Sequence, residues 1–207
     1  DAMIILTADH GEHFGEHGLY SHVSSLYEPI VHIPLIVKFP RSTIRPGVRE
    51  ELVQLIDIVP TVTAFLGIPA PTGTELSGIS LMPGSGYPIG HEFIIAEWEG
   101  RIPYFVQERL RGGGKADRCK KFLEPFWMIR DSRYKYISKM NGLEELYDLN
   151  MDQKELNNMI ETEPEHAKRL RRHLDVWKAT LLANTPQTVE HAIDQVTRRN
   201  LESLGYM

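Results

Sequence analysis

Residues Ala2 to Thr7 form a short, unbroken apolar run, which predicts a β-strand buried on both faces. Ala8-Asp9-His10-Gly11 closes the run, so polar groups stand just past the strand's carboxyl end. Open α/β sheets carry their ligand sites at that edge. Ile33 to Phe39 predicts a second strand, with Pro34 near its start, where a missing N–H is tolerated. Asp57 to Leu66 predicts a helix capped by Asp57, with Pro60 in its first turn and Gly67 as its stop. From Ile68 to about Gly90 the composition turns to Pro and Gly, which predicts a loop.

The pattern then changes. Phe93 to Trp98, Phe126 to Ile129, Tyr134 to Ser138 and Leu143 to Leu149 are short stretches rich in aromatic and β-branched residues, and Asp131-Ser132 suits a tight turn between two of them. Together they predict a small antiparallel sheet. Thr162-Glu163-Pro164-Glu165 reads as a capping box. Behind it Ala167, Leu170, Leu174, Trp177 and Leu181 recur at steps of three and four, the mark of an amphipathic helix that would lie on the sheet. A last short helix is expected before Leu204-Gly-Tyr206. The chain divides on this reading into 1–90, part of an α/β domain, and 91–207, a sheet-plus-helix subdomain.

Composition changes the picture only by exclusion. With 207 residues, 42% hydrophobic and 25% charged, the chain can bury a core. Its net charge of −5 offers no footprint for nucleic acid. No apolar run reaches the ~20 residues of a membrane span. Cys119 is the single cysteine, so an internal disulfide is excluded. The chain opens at Asp1 directly into the first strand, without an initiator methionine. It is therefore expected to be a portion of a longer protein, and its localisation is left unassigned.

The chemistry concentrates in Thr7-Ala-Asp-His-Gly-Glu-His-Phe-Gly-Glu-His-Gly-Leu-Tyr-Ser-His22. Asp9 offers a hard oxygen ligand and His10 a nitrogen ligand, beside a glycine that lets the backbone turn sharply. Where the strand ends and the backbone turns, both can reach one ion. Two donors do not fill a coordination shell. Taken alone, Asp-His-Gly also suits a simple capped turn.

The surroundings decide between these readings. Ile4 to Pro40, with Asp9-His10-Gly11, Gly15-Glu-His-Gly-Leu19, His22, Tyr27-Glu28 and Pro34-Leu-Ile36, resembles the sulfatase family of the alkaline phosphatase superfamily. Leu55-Ile-Asp-Ile-Val-Pro-Thr61, Leu66-Gly-Ile68, Gly78-Ile-Ser-Leu-Met-Pro83, Lys135-Tyr-Ile137, Glu145-Leu-Tyr-Asp-Leu149 and Leu204-Gly-Tyr206 extend the resemblance in order along the chain.

The resemblance implies an α/β, alkaline phosphatase-like fold and a hydrolase of sulfate esters, whether small-molecule or carbohydrate. It implies a divalent cation held in part by Asp9 and His10, with Ca²⁺, Mn²⁺ and Mg²⁺ all open. It also implies a formylglycine nucleophile, made in a Cys/Ser-x-Pro-x-Arg motif of the family's N-terminal half. Cys119, followed by Lys-Lys-Phe, does not match that motif, so the chain alone is expected to be inactive. His22 falls where the family contacts sulfate, and would hold a sulfate oxygen or protonate the leaving alkoxide. His17 is expected to bond backbone, Glu12 and Glu16 to structure the loop or to support the site residues from behind as carboxylates, and Glu28 to bond backbone beside the site. Arg109 to Arg118 reads as a basic surface loop, and Trp98, Tyr104 and Phe105 as hydrophobic support.

Two other functions stay open: a phosphodiester or phosphonate monoester hydrolase or phosphoryl transferase of the same superfamily, and a non-catalytic binding module. The pair Asp9 and His10, with His22, argues against the last. An uncovered strand edge beside Met3 to Leu6 would favour self-association.

Overall fold

The computed structural model describes residues 2–22, 24–40, 44–69, 77–82, 90–100, 124–184 and 194–203. Cys119, the basic loop at 109–118, Tyr104, Phe105 and Leu204 to Tyr206 lie outside the described residues. β1 (Ile4–Thr7) pairs antiparallel with β4 (Leu35–Lys38), Ile5 opposite Val37. Between them, β2 (His13–Phe14) and β3 (Tyr20–Ser21) make a small hairpin, and a single helical turn, α1 (Glu28–Val31), follows. The expectation that β1 is buried on both faces is not met. Ile4 and Leu6 are 55% and 59% exposed, because no described residue covers the face they share.

α2 (Ile58–Leu66) starts and stops where its sequence signals place it. Gly67 takes φ of 64°, a left-handed cap that costs little only for glycine. Asp57, however, does not cap this helix with its side chain. Its fully buried carboxylate instead accepts from the backbone N–H of Gln54 (2.7 Å) and of Ile79 (2.8 Å), with His91 Nε2 at 2.9 Å. The Gln54 bond closes a local capping box on the turn before α2, while the bonds to Ile79 and His91 tie in two distant segments.

The second half builds a four-stranded antiparallel sheet in chain order: β5 (Ile94–Trp98), β6 (Phe126–Arg130), β7 (Tyr134–Lys139) and β8 (Glu144–Asp148). Asp131 makes the β6–β7 turn, its Oδ1 accepting from the N–H groups of Arg133 (2.7 Å) and Tyr134 (2.6 Å). α3 (Pro164–Asn184) lies across one face. Ala167, Leu170 and Leu174 meet Ile129, Tyr134, Tyr136 and Leu146, and burying each leucine contributes roughly 1.5–3 kcal/mol. The apolar stripe ends before Leu181, which is 47% exposed. The predicted capping box also fails to form as drawn. α3 starts with Pro164 at its first position, where no N–H is lost, and the Thr162 hydroxyl turns back to the Met159 carbonyl. A final helix, α4, spans Gln195–Ser203.

Alternation along the strands sends the other set of side chains to the opposite face. There Phe126, Met128, Ile137 and Tyr147 pack with Leu26, Tyr27 and Val31. The sheet is thus covered twice, by α3 on one side and by the segment around α1 on the other.

Candidate metal and substrate site

β1 delivers Asp9 and His10 to a turn whose shape depends on Gly11. Gly11 N–H donates to the Ile30 carbonyl at 2.8 Å, and a Cβ there would lie 2.0 Å from the Pro29 oxygen. Only glycine allows this approach, which seats the Asp9-His10 turn against α1. His10 Nδ1 lies 2.8 Å from the Gly11 carbonyl. A carbonyl can only accept, so Nδ1 carries the proton and the neutral ring keeps its lone pair on Nε2. That atom sits 3.8 Å from Asp9 Oδ2. Two donors so spaced lie within reach of one ion at bond lengths of about 2.0–2.5 Å. Side-chain exposures of 68% for Asp9 and 39% for His10 leave the pair open to solvent.

His22 belongs to the same cluster. Its ring stacks on His10 with centroids 4.3 Å apart, and its Nδ1 is 3.1 Å from Glu12 Oε2. The structure therefore brings together all three predicted site residues and adds Glu12 as the orienting carboxylate. Among the described residues no group of three or more His, Cys, Asp or Glu side chains is placed to hold a metal. Asp9 and His10 fit a divalent ion as a half-shell.

His13 and His17 serve the loop rather than this cluster. His13 is 1% exposed, with Nε2 at 2.8 Å from Ser25 Oγ, and burial lowers its pKa despite Glu16 nearby. His17, expected to bond backbone, instead stacks on Tyr27 at 3.7 Å with its backbone left-handed at φ 54°. Glu16 Oε2 accepts from Phe14 N–H at 2.7 Å, as a loop-structuring residue should.

Glu28 departs most from expectation. Its carboxylate, rather than bonding backbone, takes Arg130 Nη1 and Lys135 Nζ, each at 3.0 Å. Its own N–H donates to Glu155 Oε2 at 2.6 Å, and Lys135 Nζ also lies 2.8 Å from Glu155 Oε1. Burial pushes Glu28 upward, but Lys135 and Arg130 outweigh it and hold the group below its ordinary value. Burial leaves Glu155 raised. Alongside, Tyr27 Oη donates to Glu145 Oε2 at 2.8 Å, and burial followed by Glu145 raises the phenol. These contacts join α1 to β6, β7 and β8, so the small sheet clamps the segment that carries the site. Sequence reasoning missed Lys135, Glu155 and Glu145 as supports. For Lys135 and Glu145 the signal available was charge inside a strand; Glu155 lies outside the strands and left none.

The chain is similar to known proteins over most of its length. Residues 15–89 match the family model described as N-sulphoglucosamine sulphohydrolase, C-terminal. The chain is 32% identical over 171 residues to arylsulfatase K of Bos taurus, covering 79% of this chain and 28% of the relative.

The chain belongs to the sulfatase family.

A second sulfatase, the Delta 4,5-hexuronate-2-O-sulfatase of Bacteroides thetaiotaomicron, is 27% identical over 84% of this chain and 33% of its own length. Solved sulfatases share the α/β fold with TM-scores of 0.67. So does the phosphonate monoester hydrolase of Agrobacterium radiobacter, at TM-score 0.66 and 24% identity over 93% of this chain and 39% of that one. The chain spans about a third of the length of the curated sulfatases it matches. No described helix is long and apolar enough to cross a membrane.

Proposed function

We propose that the protein containing this chain hydrolyses sulfate esters, with Asp9 and His10 as two ligands of a divalent cation and His22 as the residue that meets the sulfate. The observation that carries this reading is the grouping of Asp9, His10 and His22 on one solvent-open surface. The Gly11 carbonyl orients His10 by holding Nδ1–H, which aims the Nε2 lone pair beside the Asp9 carboxylate. Glu12 orients His22 in the same way. A divalent ion at Asp9 and His10 would polarise the sulfate oxygens and lower the pKa of the attacking hydroxyl. His22 then holds a sulfate oxygen or gives a proton to the leaving alkoxide.

Ligand number sets the limit for the chain alone. Two donors fall short of the four to seven that such ions take, so further ligands and the formylglycine nucleophile have to come from other residues. The chain by itself should turn over no ester. The names of its relatives, an arylsulfatase and a hexuronate 2-O-sulfatase, support a ring-borne sulfate ester as substrate.

Elemental analysis and turnover of the complete protein test the assignment. Asp9→Ala should lose metal and His22→Ala should lose about 10²-fold in kcat on 4-nitrophenyl sulfate while staying folded. Equal metal content in wild type and Asp9→Ala would sink the ligand role. Faster turnover of an aryl phosphate or phosphonate would replace sulfate by phosphorus chemistry. No turnover of any ester would leave the binding module.

A further inference from the structure

Backbone strain gathers around His22. Among the described residues, the non-glycine positions with a left-handed backbone are His17, Ser21, Ser24 and Glu155, at φ 54°, 73°, 61° and 56°. The first three flank His22 in sequence. Residues other than glycine seldom take this conformation, and they persist in it only where surrounding contacts over-determine it. The loop that presents His22 therefore needs something rigid to hold it.

The holding contacts converge on Tyr27. The ring of His17, at the tip of the β2–β3 hairpin, lies flat on the Tyr27 ring, with centroids 3.7 Å and planes 7° apart. The Tyr27 hydroxyl donates to Glu145 Oε2 at 2.8 Å, and Lys139 Nζ holds the other oxygen of that carboxylate at 2.7 Å. At the base of the hairpin, the Tyr27 N–H donates to Ser25 Oγ at 3.2 Å, and the same oxygen lies 2.8 Å from Nε2 of the buried His13. His22 falls between these two ties in sequence. The Asp9-His10 turn is seated by a different contact, from Gly11 N–H to the Ile30 carbonyl.

We infer that Tyr27 is a positioning residue, which holds the strained loop in the shape that keeps His22 stacked on His10 and bonded to Glu12. Tyrosine has two side-chain torsions, so a hydroxyl anchored on Glu145 in β8 fixes the plane on which His17 lies. Tyr27 touches neither metal nor sulfate and acts through His22. Its effect on turnover rests on His22 meeting the sulfate, whereas its hold on the loop does not. A misplacement of about 1 Å in such a group costs up to ~10²-fold in rate, which is what the tie prevents.

The test uses the complete protein with ¹³C-labelled histidine and Mg²⁺ as its metal. A nuclear Overhauser effect between the His10 and His22 rings reports the place of His22 directly. Tyr27→Leu removes both ring and hydroxyl. His17→Asn removes the stacked partner but keeps a residue that tolerates a left-handed backbone. Both variants should lose the ring contact and lower kcat on 4-nitrophenyl sulfate about 10-fold, with metal content unchanged. Tyr27→Phe keeps the stack and should lose less than Tyr27→Leu. In a His22→Ala background, Tyr27→Leu should slow turnover no further. An unchanged His10–His22 contact in both variants overturns the inference. So does a Tyr27→Leu loss that multiplies with the loss from His22→Ala. A lost contact with unchanged turnover keeps Tyr27 as the positioning residue and defeats the sulfate role of His22. If Tyr27→Leu does not fold, His17→Asn carries the same comparison, including the cycle with His22→Ala.

Discussion

Lys135 Nζ lies 3.0 Å from Glu28 Oε1, across 107 residues of sequence. The lysine side chain has no solvent exposure and its other partner, Glu155, has none either. The pair joins β7 to the first residue of α1, and through Gly11 and Ile30 to the turn bearing Asp9 and His10. A sheet without site residues of its own thereby sets where the site residues stand.

Removing the cation should be costly. Lys135→Met leaves Glu28 and Glu155 buried with one less counter-charge, which should destabilise the fold by about 3–5 kcal/mol. Urea unfolding of Lys135→Met against wild type measures it. A loss under 1 kcal/mol would mean the network carries little of the fold.

Stability should fall in acid partly through Glu28. Its folded pKa is held below the ordinary 4.5, so its contribution is complete above that value. It is lost as pH falls through the depressed folded value. Urea midpoints measured from pH 7 down to pH 3 should show a shallower acid decline in Glu28→Gln than in wild type. Asp131 and Asp148, also held low, act in the same direction. Identical slopes would remove Glu28 from the acid limb.

Gly11→Ala should displace the turn that carries the candidate ligands. The added Cβ meets the Pro29 oxygen at 2.0 Å, so backbone has to move, at about 1–3 kcal/mol. Because the strain sits between Asp9-His10 and α1, metal content of the complete protein should fall along with the melting temperature. Normal metal content and an unchanged melting temperature would show the turn to be adaptable.

Asp57→Ala and Thr162→Ala should separate a tertiary hub from a nominal cap. Asp57→Ala leaves the half-buried N–H groups of Gln54 and Ile79 without this acceptor, costing up to about 1–3 kcal/mol for each group that water does not reach. It should also open the 77–82 segment to limited proteolysis. Thr162→Ala removes only an exposed bond to Met159 and should stay within about 0.5 kcal/mol of wild type. Equal losses in the two variants would contradict the geometry.

The local pattern of the sequence by itself determined the longer elements, though not the short β2–β3 hairpin or α1. Short aromatic and β-branched runs became β5 to β8, because half of each strand's side chains had to be buried and few other residues fit a pleated surface. The spacing of Ala167, Leu170 and Leu174 set the face of α3, and Asp9-His10-Gly11 marked the end of β1. Those signals act over a few residues, which is why they are legible in one dimension. What only the tertiary structure decided were the partners of charged groups. Asp57 and Glu28 each had a plausible local role, and each joined segments far apart in the chain, Asp57 in addition to its bond to Gln54 and Glu28 in place of a backbone partner. A buried carboxylate gains more from a cation or several converging N–H groups than from one neighbouring amide, and sequence spacing does not say which of these folding will bring near. The same holds for the second cover of the sheet. Tyr27 and Leu26 look like loop residues until Phe126, Ile137 and Tyr147 offer them an apolar face, and burial of that face fixes the loop that carries His22.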